Sequence, residues 1–452
     1  MSDYQQQLAS FVHQMDFDDI PPALVERCKR HILDTLGAAL AGTDSEVYRA
    51  VAATVLTDGA APQAVLWGTP HASSVKNAAL LNGVAAHMYE LDDTGGCDHS
   101  GAVVLPAVLA AMPLCKAPPT GKALITAVMM GYDVGRRVLE ACGGYSPHNG
   151  AGWHSTATCG VFGAAAAVAK LLGLSAAQIS SALGIAGSFS GGLWAFIHDG
   201  SQTKKLHAGR AAEGGLFAAQ LAAGTIIGPE KLFDNVWGGF LSTLAPSSQQ
   251  PDALTADLGN VWKLERCSIK PYASCRGVHS AIDAMISLRQ RTQASRETIE
   301  RIDVHLCGFL NGMCGGRDLS SLAAAQMSLP YALAACIVYG SAGLEVYDDE
   351  KRFAAPVTEM MKRIHLQIDP RQNDNDEPQV VLTLTDGSQQ QQRVDIALGA
   401  PGNPLSDEQL LQKFRSLATR ILPPEQASEL ATHCLTLEQA DDCRVLLPLL
   451  SQ

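Results

Sequence analysis

Four carboxylates and one imidazole crowd the run Tyr89-Glu90-Leu91-Asp92-Asp93-Thr94-Gly95-Gly96-Cys97-Asp98-His99-Ser100-Gly101-Ala102. The segments on either side are apolar. Ser74 to His87 carries Val75, Ala78, Leu80, Leu81 and Val84, and Ala102 to Leu114 is almost wholly apolar. Burying carboxylates is costly unless each is paired, so stability is a poor reason for such a run. One reading is a solvated turn whose aspartates cap the next helix. The other is a general acid/base cluster, because carboxylates beside an imidazole can have their pKa values pushed apart.

Further polar islands interrupt apolar sequence. Gly152-Trp153-His154-Ser155-Thr156 sets an imidazole just before an Ala-rich segment, where free N–H groups and the helix dipole favour anions; the alternative is that Trp153 and His154 only staple the helix. Asp199-Gly-Ser-Gln-Thr-Lys204-Lys205-Leu-His207-Ala-Gly-Arg210 concentrates cationic groups ahead of Ala211 to Ala223; the alternative is an exposed basic turn. Lys270, Arg276 and His279 form a third island, alternatively a solvated strand end. Tyr145, in Gly143-Gly-Tyr-Ser-Pro-His148, is a weaker fourth.

The elements that must hold these islands are mostly helices. Pro22 to Gly42 has Pro near its start, Gly at its end and apolar residues at helical spacing. Thr120 and Ser175 are placed to cap further helices, the second over Ala176 to Ala186. Ser155 to Leu172 reads as one buried helix and Leu206 to Ala223 as another. No strand of any length is predicted before about Arg266. Beyond it, Ile302, Val304 and Leu306 alternate with Arg301, Asp303 and His305, the period of a half-buried strand. Gln379 to Thr385 and Gln391 to Ala397 flank Asp386-Gly387, a hairpin turn signal. After Gly402-Asn-Pro-Leu, Ser406 caps a returning helix. The expected fold is mainly α: a large all-helical domain from residues 1–264 and 401–452, with a smaller α+β lid domain of antiparallel sheet over 265–400.

Composition narrows the function. Apolar residues make up 47% of the chain, charged ones 17%, and the net charge is −12. That balance excludes nucleic-acid binding, which needs a basic surface. Any anionic substrate must be met by a local cluster of Lys, Arg and His. The twelve cysteines include no Cys-x-x-Cys pair, so zinc-ribbon or thioredoxin-type chemistry is not expected. Those at Cys115, Cys142, Cys159 and Cys336 lie in apolar runs and read as small buried hydrophobes. With no basic leader and no membrane-length apolar run, the expectation is a cytoplasmic protein.

Together the islands resemble the MmgE/PrpD superfamily, which includes 2-methylcitrate dehydratases, cis-aconitate decarboxylases and iminodisuccinate epimerases. The residues carrying the likeness are Asp92-Asp93-Thr94 before His99-Ser-Gly-Ala102, Gly152-Trp153-His154, and Thr203-Lys204-Lys205-Leu206-His207-Ala208-Gly209-Arg210. Lys270-Pro271-Tyr272, His279-Ser280, Ser328-Leu329-Pro330-Tyr331 and Gly402-Asn403-Pro404 ahead of Lys413-Phe414 extend it over nearly the whole chain. The resemblance implies a site between a helical domain and a lid, no metal or organic cofactor, and a homodimer. It implies that Thr94, His99, His154, Lys204 and Lys270 line the site and that its acidic position falls on Glu90, with Asp92 the neighbouring candidate. The loop is shorter than in the decarboxylases, Ser100 replaces the usual Pro, and Cys275 stands where they have His.

Dehydration, decarboxylation and epimerisation of a polycarboxylate all pass through a carbanion or enediolate beside a carboxylate. Preorganised cations at its oxygens lower that barrier, one such donor being worth roughly 3–4 kcal/mol. Lys204 and Lys270 would supply the charge, His99 and His154 would exchange protons near neutral pH, and Asp92 would orient them or act as base. Glu90, Asp93, Thr94, Tyr145, His207, Cys275 and Arg276 would hold the substrate. The reading is a cofactor-free lyase, first a 2-methylcitrate dehydratase-like enzyme, alternatively a dicarboxylate epimerase or a decarboxylase. A non-catalytic carboxylate binder is the rival from another class. An iron–sulfur hydratase would need three convergent cysteines, which the spacings do not offer.

Overall fold

The computed structural model describes residues 3–452. It is mainly α, with a small mixed sheet. Its buried apolar side chains fall into two clusters. The larger runs from Leu8 to Ile269 and resumes from Leu405 to Leu450. The smaller draws on residues from Ala273 to Leu382 and meets Ala38, Ala41, Leu91 and Leu417. Among the described residues no helix is long and apolar enough to cross a membrane.

Capping side chains set many helix starts. Thr120 accepts the Ala123 N–H at 3.1 Å and opens Gly121–Ala141. Ser175 forms a capping box with Gln178 at the start of Ala176–Ala186, and Ser406 does so with Gln409 before Asp407–Ala418. Pro22–Gly42 has its Pro in the first turn. The single helix expected from Ser155 to Leu172 is broken: Ser155–Thr158 ends at Cys159, and Gly160–Leu171 begins anew. The break lays Gly160 against Cys97 and Val103, directly behind the acidic loop.

Two helices matter most for the site, Val75–Ala86 and Thr203–Ala223. They cross where only glycine fits. A Cβ on Gly209 would lie 2.3 Å from the Leu80 carbonyl, and one on Gly83 would lie 2.7 Å from the Gly209 Cα. The close crossing brings the C-terminal end of the first helix beside the N-terminal end of the second.

The strand Ile299–Leu306 forms as its alternation predicts, with Ile302, Val304 and Leu306 buried and Arg301 paired to Asp303 outside. It is the second strand of a four-stranded sheet. Gln379–Leu384 pairs with it antiparallel and turns through Gly387 into Gln389–Arg393. On the other edge Ile364–Ile368 pairs parallel, so the sheet is mixed rather than antiparallel. The helices between Gly308 and Lys362 supply the crossover that a parallel pair requires. The last strand stops at Arg393, short of the expected Ala397, because the chain turns back: Leu398 N–H donates to Asp283 and Ile269 N–H to the Gly399 carbonyl. The entering segment near Ile269 and the leaving one near Gly399 therefore run side by side.

Candidate active site

The acidic loop is buried, not solvated: Glu90, Asp92, Asp93, Asp98 and His99 are all at most 7% exposed. His87 closes the Val75–Ala86 helix, the loop crosses between the two apolar clusters, and Gly101–Ala111 starts the next helix. Thr94 pairs with Ser268 as a short antiparallel bridge. Glu90 (φ 54°) and Asp98 (φ 125°) lie in the left-handed region. Non-glycine residues held there cost roughly 1–3 kcal/mol each and cluster at functional sites.

Glu90 is the centre of a charge cluster. Its Oε1 accepts from the Lys204 ammonium at 2.7 Å and from Lys205 at 2.6 Å, while Lys270 lies 3.4 Å from Oε2. Burial would raise the Glu90 pKa, but the three lysines hold it well below the usual carboxylate range. Burial likewise acts against the Lys204 ammonium, and Glu90 outweighs it, leaving that pKa raised. Lys205 is pulled down to about 8 by burial, with the neighbouring Lys204 charge adding to the fall. Three buried ammoniums thus meet one carboxylate, a positive excess that an anionic substrate would neutralise.

The second cluster is built on Asp92. It accepts from Nδ1 of His87 at 3.0 Å and is ion-paired with Nδ1 of His99 at 3.0 Å, a nitrogen that hydrogen-bonds the Asp93 carbonyl at 3.0 Å. Burial would raise the Asp92 pKa, yet the two imidazoles hold it well below normal. Burial pulls His87 down to about 4, so it is neutral, and its Nε2 has no hydrogen-bond partner among the described residues. Burial opposes charge on His99 too, but Asp98 and Asp92 raise its pKa. His99 is therefore cationic when His87 is not. Its Nε2 faces Asp98, 3.7 Å away, and Thr94 donates to the other Asp98 oxygen at 3.0 Å.

A cavity of about 390 Å³ lies between the two apolar clusters. Of the residues expected at the site, Glu90, Thr94, His99 and Tyr145 line it, together with Lys204, Lys270, Cys275 and Arg276. Arg276 is anchored to Glu377 at 3.0 Å. The other four do not line it. Asp92 stands behind His99. Asp93 faces away, accepting from His31 at 2.8 Å, the Tyr132 hydroxyl at 2.5 Å and the Gly101 N–H at 2.9 Å. A carboxylate so fully satisfied ties the loop to the helices and is not a substrate contact. His154 is fully buried, its Nδ1 2.8 Å from Nδ1 of His207 and its Nε2 3.8 Å from Asp98. Burial and then Lys204 keep its pKa well below 6.5. His154 and His207 support the cavity from behind. Two roomier cavities, of about 450 and about 500 Å³ and both bordered by Arg420, contain no imidazole.

The sequence reading missed His87, Asp98, Lys205 and Arg136 as parts of the site. Lys205 and Asp98 were visible inside the quoted motifs. His87 was masked by the apolar helix it ends, and Arg136 by its place mid-helix; no spacing rule singles them out. Tertiary folding also gathers possible metal ligands that are distant in sequence. His87, His99 and His154 bring ligand atoms within 4.8 Å of one another, and Cys142, His148 and Cys159 do the same elsewhere. A cation at the first group would meet Lys204, whose charge already depresses His154.

Family comparison places both halves of the chain. The MmgE/PrpD N-terminal domain family matches residues 6–251, and the MmgE/PrpD C-terminal domain family matches residues 272–438. The chain is 30% identical over 462 residues to cis-aconitate decarboxylase of Homo sapiens, across 98% of this chain and 93% of that one. It is 30% identical over 465 residues to cis-aconitate decarboxylase of Aspergillus terreus, across 96% and 93%. Similarity to the cis-aconitate decarboxylase-like protein oryM of Aspergillus oryzae is 29% over 471 residues, across 98% and 96%.

Proposed function

The chain belongs to the MmgE/PrpD superfamily, and from that premise we propose that it is a lyase acting on a small di- or tricarboxylate by proton transfer next to a carboxylate, using only its own side chains. The observation that carries the reading is the convergence of Lys204, Lys205 and Lys270 on the single carboxylate of Glu90, beside His99, whose pKa is raised by Asp98 and Asp92. Substrate carboxylates complete the charge balance, and the ammoniums stabilise the enediolate that forms when a neighbouring bond breaks. His99, held as imidazolium by Asp92 and Asp98, is the acid that protonates a departing group.

The first reaction in this reading is dehydration, a hydroxyl leaving as water with its proton from His99. Decarboxylation is the second, favoured by relatives that bear that name over more than nine-tenths of their length. The test is incubation with a panel of di- and tricarboxylates and hydroxy acids in deuterated water, with EDTA, followed by NMR. New alkene signals with the carboxylates retained support dehydration, and loss of a carboxyl carbon supports decarboxylation. Deuterium uptake with the carbon skeleton intact would instead assign an epimerase, and binding without turnover of any acid would leave a carboxylate-binding protein.

A further inference from the structure

The α+β side of the cavity carries one nucleophilic group that the lyase chemistry above leaves unused. Ten of the twelve cysteines are buried; Cys115 and Cys275 are the two that are partly exposed. Cys275 lines the same cavity as His99, Lys204 and Lys270. It stands at the head of the Arg276–Val278 turn that runs into the helix His279–Thr292. The Gly277 N–H and the fully buried Cys314 thiol lie beside its sulfur and favour its anionic form. Met313 and Met327 complete the adjoining surface.

We propose that Cys275 is the base that removes the substrate's proton next to the carboxylate, with His99 as the acid that serves the leaving group. The assignment rests on the lyase reading. In the step, the Cys275 thiolate takes a proton from the carbon adjacent to a substrate carboxylate. The C–H electron pair passes into the enediolate held by the lysines, then forms the C=C bond as the β-hydroxyl departs. That hydroxyl takes the Nε2 proton of His99 and leaves as water. One proton is gained by sulfur, one is lost by imidazole, and solvent exchange restores both.

Three structural features support this pairing. His99 lies between Cys97 and Ala102 of the larger apolar cluster and Cys275 packs against the smaller one, so a substrate seated between them is met by one proton carrier from each side. Their environments push them in opposite directions: the Cys314 hydrogen bond pulls the Cys275 thiol down to about 6, with the Lys204 and Lys270 charges adding, while His99 is raised. Groups driven apart in this way mark an acid and its base. The third is that burial raises the other partly exposed thiol, Cys115, in spite of the Arg444 charge nearby, so of these two thiols Cys275 alone is lowered.

The test has two arms. In the first, the wild-type protein is alkylated with iodoacetamide across pH 5–9, with the modified residue identified by mass spectrometry and tricarballylate as an unreactive tricarboxylate competitor. Alkylation at Cys275 with a midpoint near about 6, slowed roughly tenfold by tricarballylate, supports the proposal. A midpoint above about 8, or no protection, overturns it. Cys314→Ala should raise the midpoint. The second arm measures Cys275→Ser on the best substrate of the panel. A fall in kcat of roughly a hundredfold or more with little change in KM supports the base role, and wild-type kcat in a folded variant overturns it. If the wild-type protein turns over none of the panel, the lyase reading falls, and the alkylation arm alone then decides whether Cys275 is an activated thiol in a carboxylate site.

Discussion

At the scale of single residues, the lysines are separable in their consequences. Lys204→Ala or Lys270→Ala leaves Glu90 with two ammoniums, so neither strands a bare buried carboxylate. Each variant should stay folded and lose roughly a hundredfold in kcat, with a smaller change in KM, as expected when a charge that stabilises the transition state is removed. Steady-state kinetics on the purified variants checks this; near wild-type turnover would remove the residue from the mechanism. Lys205 behaves differently because its pKa lies at about 8. It is cationic below that pH and neutral above, so turnover that needs its charge should fall as pH rises through about 8. Glu90→Gln removes the charge that sustains the Lys205 ammonium and should move that fall to lower pH, which a pH–rate profile reads directly. Much of this was legible in the sequence. The lysines, His99 and the acidic loop stood out as polar islands in apolar surroundings, and Lys204, Lys270 and His99 line the cavity. What the sequence could not show is direction. Asp92 and Asp93 are adjacent, yet one binds two imidazoles beside the cavity while the other faces His31 and Tyr132. Neighbouring loop residues point to opposite sides, and only tertiary structure decides which side is the site.

Among elements, the site depends on the crossing of Val75–Ala86 with Thr203–Ala223. The first ends in His87 and the second begins with Lys204 and Lys205, so their contact fixes how far the imidazole cluster stands from the ammonium cluster. Gly209→Ala would drive a methyl group into the Leu80 carbonyl. Overpacking of this kind costs roughly 1–3 kcal/mol. The variant should therefore show a lower urea midpoint and a fall in turnover, although no substrate contact has been altered. Unchanged stability would mean that the helices can separate at no cost. Helix positions were readable because Ser and Thr caps and apolar spacing act locally. The sheet was read less well. The parallel strand Ile364–Ile368 pairs with a partner about sixty residues away, and no local pattern distinguishes parallel from antiparallel neighbours.

For the molecule as a whole, buried imidazoles set the response to acid. His87 and His207 are both pulled down to about 4 by burial, against about 6.5 in an unfolded chain. Between those values the unfolded state binds the proton and the folded state does not. The stability they contribute is fully present above about 6.5 and is lost as pH falls toward about 4. For His87 alone the loss is on the order of 3 kcal/mol. Chemical denaturation between pH 4 and 7 should show it, and His87→Gln should flatten the decline. His99, which is raised, works in the opposite direction: the stability it contributes is fully present below about 6.5 and is lost as pH rises through its raised folded value. Homodimer formation remains a proposal, drawn from the resemblance. A sedimenting species of twice the 47.7 kDa chain mass is the expected result, and a purely monomeric one would refute it. The exposed Ile227 and Trp237 are the first positions to vary if the dimer forms.

The adjacency of Ile269 and Gly399 has an evolutionary consequence. A segment that leaves and re-enters a scaffold at neighbouring points behaves as a cassette. It can be lengthened, shortened or exchanged while the scaffold's connections stay where they are. Here that cassette brings Lys270, Cys275 and Arg276 to the cavity, whereas Glu90, His99 and Lys204 belong to the scaffold. Descent with modification can thus retune substrate and proton delivery through one half of the site, Lys270 included, and leave Glu90, Lys204 and Lys205 in place. A chimera that takes 270–398 from a relative should acquire that relative's substrate preference while keeping Glu90 bound to Lys204 and Lys205.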